Sequence, residues 1–244
     1  MRISVVVPVH NEQENIGPLI DEIFQVMQAQ SYQFEVIYVD DGSTDGTLDL
    51  LQEQKKIRGD FLRVIRHEQA CGQSTAIYTG IHAARHEWVV TLDGDGQNDP
   101  ADIPALLETV AQKQENPHRF LAAGYRHKRH DSWIRRASSR IANAFRSWLL
   151  KDRTPDTGCG LKAFSRELFL ELPYFDHMHR FLPALVLRIG GEVQSVPVSH
   201  RPRKQGRSKY GIHNRLWVGI VDLFGVSWLQ RRERRPKHVV EEKS

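Results

Sequence analysis

Cysteine is scarce in this chain of 244 residues: Cys71 and Cys159 are the only two, and neither has a neighbour at metal-ligand spacing. No zinc cluster is expected from them, at most one disulfide can form, and a reducing, cytosolic setting is the simpler expectation. Glycine and proline together number 28 residues, far below the share that marks collagen-like or low-complexity chains. Long apolar runs are missing as well. The opening run Ile3–Val9 is interrupted by Pro8 and ended by His10 before a signal-peptide core can form, so export is not expected. The segment Leu216–Leu229 is apolar apart from Asp222 and a few small or polar residues, but fourteen helical residues span only about 21 Å against a hydrocarbon core of roughly 30 Å. Arginines follow at 231, 232, 234 and 235. An amphipathic helix lying in a membrane interface is therefore expected, with packing against the core as the alternative.

The rest of the composition is that of a globular chain, 40% hydrophobic and 26% charged, long enough for one large domain. Its net charge of +4 conceals a division. Residues 1–117 carry 8 Lys/Arg against 19 Asp/Glu, a net −11, whereas residues 118–244 carry 26 against 11, a net +15. An acidic first half suits a bound cation, and a basic second half suits a polyanion or an anionic membrane surface.

Up to about residue 125, short apolar runs alternate with amphipathic stretches, the pattern of strand–helix units in a mainly parallel sheet. The expected strands are Ile3–Val9, Phe34–Asp40, Leu62–Arg66, Trp88–Asp93 and Phe120–Gly124, apolar almost throughout because both faces are covered. Helices are expected over Glu14–Met27, over Asp45–Lys55 with Ser43 as its cap, over Gly72–Arg85, and from Asp99 and Pro100 to Gln114. Beyond Arg126 comes a basic amphipathic helix, Ser132–Leu150, then a strand near Gly160–Phe164, helices near Ser165–Leu172 and His179–Ile189, and a strand at Val193–Val198. In such a doubly covered α/β sheet the functional loops follow the carboxyl ends of the strands.

Two acidic clusters fall at those ends: Asp40-Asp41-Gly42-Ser43 and Asp93-Gly94-Asp95-Gly96-Gln97. Either alone serves as a turn or a cap. Both at one sheet edge point to a site, and Asp93 and Asp95, one residue apart on a tight glycine-containing turn, can present oxygens to one hard cation that keeps part of its shell for substrate phosphates, the arrangement that stabilises a departing nucleoside diphosphate.

These motifs, with Val6-Val7-Pro8-Val9-His10-Asn11-Glu12, resemble those of the family-2 glycosyltransferases of the GT-A fold. The downstream Arg203-Lys204-Gln205-Gly206-Arg207-Ser208-Lys209 resembles the R-x-x-G-x-S-K element of the dolichol-phosphate mannosyltransferase branch, which moves a sugar from a nucleotide sugar to a polyprenyl phosphate. The resemblance covers residues 3–211. It implies a GT-A domain over 1–211, with the nucleotide-sugar and metal half over 1–125 and the acceptor half over 126–211, followed by the amphipathic helix and basic tail over 212–244. It further implies that Pro8, His10, Asn11, Glu12, Val39, Asp41 and Gly94 line the nucleotide site and that Asp93 approaches the donor. Asp95 and Gln97 then hold Mg2+ or Mn2+, and Arg126, Arg203, Ser208 and Lys209 meet phosphates. His10 stands where an aromatic residue is common in the mannosyltransferases, so the base is left open, as is the sugar.

The acceptor decides between two enzymatic readings. A sugar hydroxyl needs a positioned base, and Asp176 lies where polysaccharide-forming relatives place one. A phosphate, already ionised near neutral pH, needs none, and His179 and Arg180 suit it better. The expected partners are thus a nucleoside-diphosphate sugar, a polyprenyl phosphate and the cytoplasmic face of a membrane, with the oligomeric state open. A nucleic-acid-binding role for the basic stretches would leave both acidic loops unused, and no nucleic acid is expected.

Overall fold

The computed structural model describes residues 1–30, 32–113, 115–126, 145–202 and 212–232, with the side chains of 212–218 left aside. Seven strands form one sheet: β1 (Arg2–Val9), β2 (Gln33–Asp41), β3 (Leu62–His67), β4 (Trp88–Thr91), β5 (Phe120–Arg126), β6 (Lys162–Ser165) and β7 (Glu192–Val198). Their spatial order is β3-β2-β1-β4-β6-β5-β7. All neighbouring pairs are parallel except those of β6, which runs antiparallel to both β4 and β5.

Alternate residues of each apolar strand feed opposite faces, which is why the runs read as continuous. Ile3, Val5, Val7 and Val9 of β1 join Phe34, Val36 and Tyr38 of β2 in a core beneath α1 (Gln13–Ala29) and α4 (Ile103–Ala111). Val6, Ile37 and Val39 face a second core with α3 (Gln73–Ala83), α5 (Arg166–Leu170) and α6 (Leu182–Arg188). The remaining helices are α2 (Thr47–Arg58) and the C-terminal α7 (Ile212–Arg231). Of the expected helix Ser132–Leu150, only residues 145–150 are described, and they are helical.

The expected cap of α2 is corrected. The helix starts at Thr47, whose N–H donates to Asp45 Oδ1 at 3.0 Å, while Ser43 Oγ accepts the Asn11 N–H at 2.8 Å. Ser43 lies four residues before the first helical residue, and its hydroxyl serves the turn after β1 instead. The helix-and-packing reading of 216–229 is partly met: Leu223, Val226 and Ser227 are buried, yet Val221, Phe224 and Trp228 are 68%, 56% and 58% exposed. No helix among the described residues is long and apolar enough to cross a membrane.

Candidate active site

Parallel pairing sets the carboxyl ends of β1, β2 and β4 side by side: Val9 pairs with Asp40, and Val6 with Thr91. Reversal of β6 brings a fourth segment to that edge. Thr91 at the end of β4 pairs with Lys162 at the start of β6, so the loop 156–161 arrives where the other strands end. A cleft of about 510 Å³ opens there. It gathers Pro8, His10, Glu12, Asp41, Asp93, Gly94, Asp95, Gln97, His179 and Arg180 from the sequence expectations.

The first wall is a stitched pair of turns. Asn11, at φ 54, turns its side-chain oxygen to the Thr44 N–H at 2.7 Å, and the Glu12 N–H donates to Thr47 Oγ1 at 2.9 Å. Asn11 therefore braces the wall instead of lining it. Val39 is another correction: its side chain is fully buried in the second core, against Gly80, and does not line the cleft. His10 lies with Nδ1 2.7 Å from the Asp41 carbonyl oxygen, which can only accept, so its ring proton sits on Nδ1.

The Asp41 carboxylate receives the backbone N–H groups of Cys71 and Gly72, both at 2.8 Å, and His67 Nδ1 at 2.8 Å. This requires the 69–72 segment to lie on Gly42, at φ +66, where a Cβ would fall 2.5 Å from the Gln69 carbonyl carbon. Contrary to the expectation from cysteine spacing, Asp41, His67 and Cys71 thus bring an oxygen, a nitrogen and a sulfur within 4.8 Å of one another. With both Asp41 oxygens already accepting backbone donors, the group reads as a brace for Asp41. Both cysteines are free thiols.

On the second wall, Asp93 accepts from Gln73 Nε2 at 2.7 Å, and its own N–H donates to Asn98 Oδ1 at 3.0 Å. Burial, and then the charge of Asp95, push its carboxyl up to about 6 against the pull of Lys162, Gln73 and Arg126. Asp95 Oδ1 caps the turn by accepting the Gln97 N–H at 3.1 Å. Gly94 is dictated by closeness, since a Cβ would lie 2.4 Å from Val9 Cγ1.

The third wall was not legible from the motifs. Lys162, 3% exposed, directs Nζ to the carbonyl of Cys159 and lies 3.5 Å from that of Thr157. Burial holds its amine below the usual lysine range, opposed by Cys159, Asp93 and Asp156. Gln73, Thr157, Gly158 and Gly160 also line the cleft. A lysine inside the apolar run Leu161–Phe164 was the available signal. Arg126 does not line the cleft: its guanidinium is held bidentately by Asp156, at 2.6 and 2.9 Å, behind Gly158.

His179 is in place but not as a cation. Its backbone N–H donates to Ser74 Oγ at 3.3 Å, and the same hydroxyl is hydrogen-bonded to Nδ1 at 2.6 Å. Burial, with the charges of Arg180, Lys162 and His177, holds the imidazole well below its usual value, and the ring is neutral. Asp176 is 62% exposed at its side chain and lies outside the cleft lining. Arg203, Ser208 and Lys209 lie outside the described residues. The chain enters their segment beside the Asp93–Gln97 turn, where the Arg201 N–H donates to the Gln97 carbonyl at 3.0 Å.

Among known proteins, the chain is 34% identical over 241 residues to the dodecaprenyl-phosphate galacturonate synthase of Rhizobium johnstonii, covering 98% of this chain and 70% of that one. It is 31% identical over 210 residues to the undecaprenyl-phosphate 4-deoxy-4-formamido-L-arabinose transferase of Edwardsiella ictaluri, covering 86% of this chain but only 63% of the relative. The fold is shared with a mannosyltransferase from Pyrobaculum calidifontis solved with GDP-Man and Mn2+, at TM-score 0.66 and 23% identity, over 96% of this chain and 66% of that one. Residues 4–172 match the family model of glycosyl transferase family 2. That match takes in every strand but β7, and with it both acidic turns and the reversed strand that completes the cleft: the chain belongs to glycosyl transferase family 2.

Proposed function

We propose that this glycosyltransferase moves a sugar from a nucleoside-diphosphate sugar to a polyprenyl phosphate at the cytoplasmic face of a membrane, with inversion at the anomeric carbon. The observation that carries the reading is the meeting of both signs of charge in one cleft: Asp93 and Asp95 line it together with Lys162 and Arg180. Two relatives whose names specify dodecaprenyl and undecaprenyl phosphate support the acceptor class.

Asp93, Asp95 and Gln97 offer only oxygen donors, which suits Mg2+ or Mn2+ better than a softer ion. The fit is supported by the charge of Asp95, which raises Asp93, a repulsion that a cation beside the pair relieves. Such an ion supplies positive charge to a diphosphate leaving group. The protein's own share is positioning. Gln73 and Gly160 hold Asp93 towards the donor sugar, and the turns around Asn11 and Asp41 shape the nucleotide end. An oxygen of the acceptor phosphate forms the new bond to the anomeric carbon as the bond to the β-phosphate oxygen breaks, and the electron pair leaves with the nucleoside diphosphate. An ionised phosphate needs no base for this step. The hydroxyl-acceptor alternative needs one, and the exposed Asp176 outside the cleft lining does not favour it.

Membrane contact is assigned to the outward face of α7, where Val221, Phe224 and Trp228 are exposed and Arg232 stands 5.7 Å over the Trp228 ring. The experiment is a panel of labelled nucleotide sugars incubated with the protein and undecaprenyl phosphate in anionic vesicles, with and without chelator. One donor should give a metal-dependent lipid product. Absence of lipid product from every donor contradicts the reading.

A further inference from the structure

One acidic residue, Asp222, interrupts the apolar face of α7, and His177, just ahead of the cleft-lining His179 and Arg180, adopts left-handed backbone. They are partners. Asp222 Oδ2 lies 3.1 Å from His177 Nδ1, and His177 sits at φ 64. A carboxylate can only accept, so the imidazole donates. A non-glycine residue in this conformation costs about 1–3 kcal/mol and persists where its surroundings over-determine it. Here the His177 N–H donates to Asp176 Oδ1 at 2.8 Å, and the ring is tied to α7.

His177 starts the single 3-10 turn Met178–Arg180, and its carbonyl accepts the Arg180 N–H at 3.0 Å. His179 and Arg180 of that turn both line the cleft. The far side of the turn is fixed independently, through His179, by Ser74 on α3. The turn is thus held at two points, one in the catalytic domain and one in the C-terminal helix. The helix itself is seated on α6 by buried Leu223 and Val226 and by Arg188 Nε donating to the Leu229 carbonyl at 3.1 Å.

We infer that Asp222 is a positioning residue for the acceptor side of the cleft: through His177 it fixes the turn that carries His179 and Arg180, so the seating of α7 sets the geometry in which the acceptor phosphate is received. The acceptor part of this inference rests on the function proposed above; the mechanical part does not. It explains why a carboxylate is kept in a helix whose neighbours are apolar.

The test compares Asp222→Ala with Asp222→Asn, which keeps an accepting oxygen. Hydrogen–deuterium exchange is read over 177–181 and over the 41–47 turn, together with nucleotide-sugar affinity by calorimetry and the KM for undecaprenyl phosphate. Asp222→Ala is expected to speed exchange in 177–181 alone and to raise the acceptor KM about tenfold, as for a modest misplacement of binding groups, with donor affinity unchanged and Asp222→Asn restoring most of the effect. Unchanged exchange in 177–181, or donor affinity and melting temperature falling as much as acceptor use, overturns it. If the parent protein makes no lipid product while exchange responds as expected, the proposed function fails and the positioning role stands.

Discussion

Gly160 lies so closely under Asp93 that a Cβ at residue 160 would stand 2.3 Å from the Asp93 carboxyl carbon. The glycine is required by this contact rather than by its own backbone, since no positive φ is involved. Asp93 is short, half-buried and already held by Gln73, so it has little room to yield.

Gly160→Ala is accordingly expected to displace the Asp93 carboxylate and lower kcat/KM by about 10- to 100-fold, in keeping with the cost of roughly 1 Å misplacements at active sites. Circular dichroism and the melting temperature should stay near the parent values. Parent-like kinetics in a folded Gly160→Ala protein would show that Asp93 needs no fixed position.

A metal at the second wall makes its own demand. Asp95→Asn nearly keeps the side-chain shape and removes the charge, so sugar transfer should fall by orders of magnitude while folding survives. Full activity in this variant, or in excess chelator, contradicts a role for the Asp93–Gln97 turn in holding a cation.

Glu35 gives a pH signature remote from the cleft. Burial raises its carboxyl, but Arg63, the Arg85 N–H and Ser4 outweigh burial and leave it below the usual glutamate range. The folded state therefore favours the ionised form, and this stabilisation is complete above the unfolded value of about 4.3 and is lost as pH falls through it and below. Glu35→Gln is expected to cost about 1–3 kcal/mol at pH 7, a few degrees of melting temperature, with the gap from the parent narrowing below about pH 4. A gap independent of pH would rule out the ionised network.

The outward face of α7 is tested with Phe224→Ser/Trp228→Ser. Removing two exposed aromatic groups, each worth about 1.5–3 kcal/mol when buried, should weaken partition onto anionic vesicles at least tenfold, with transfer of the parent to the soluble fraction at high salt. Equal partition of variant and parent would assign the face to another contact.

Much of this was legible in the sequence, for physical reasons that also mark where legibility stopped. Strands covered on both faces betray themselves as short apolar runs, and Asp-Gly-Asp at a strand end announces a turn with two carboxylates. Strand direction has no such signature. The reversal of β6, which brings Lys162 opposite Thr91, depends on pairing across residues far apart in the chain. The neutrality of His179 depends on burial and on the charges of Arg180, Lys162 and His177, which only the fold gathers around it. Ser43 follows the cap rule locally but is taken by Asn11, a partner that only the fold supplies.

The acceptor is the point on which the account turns, and one comparison addresses it directly: undecaprenyl phosphate against undecaprenol and a soluble sugar, in the same vesicles with the same labelled donor, for the parent and Arg203→Lys. Arginine offers phosphate a bidentate fork that lysine lacks. The account predicts product from the phosphate alone, reduced at least tenfold in Arg203→Lys while nucleotide-sugar affinity is unchanged. Efficient transfer to the free alcohol or to the soluble sugar would contradict it.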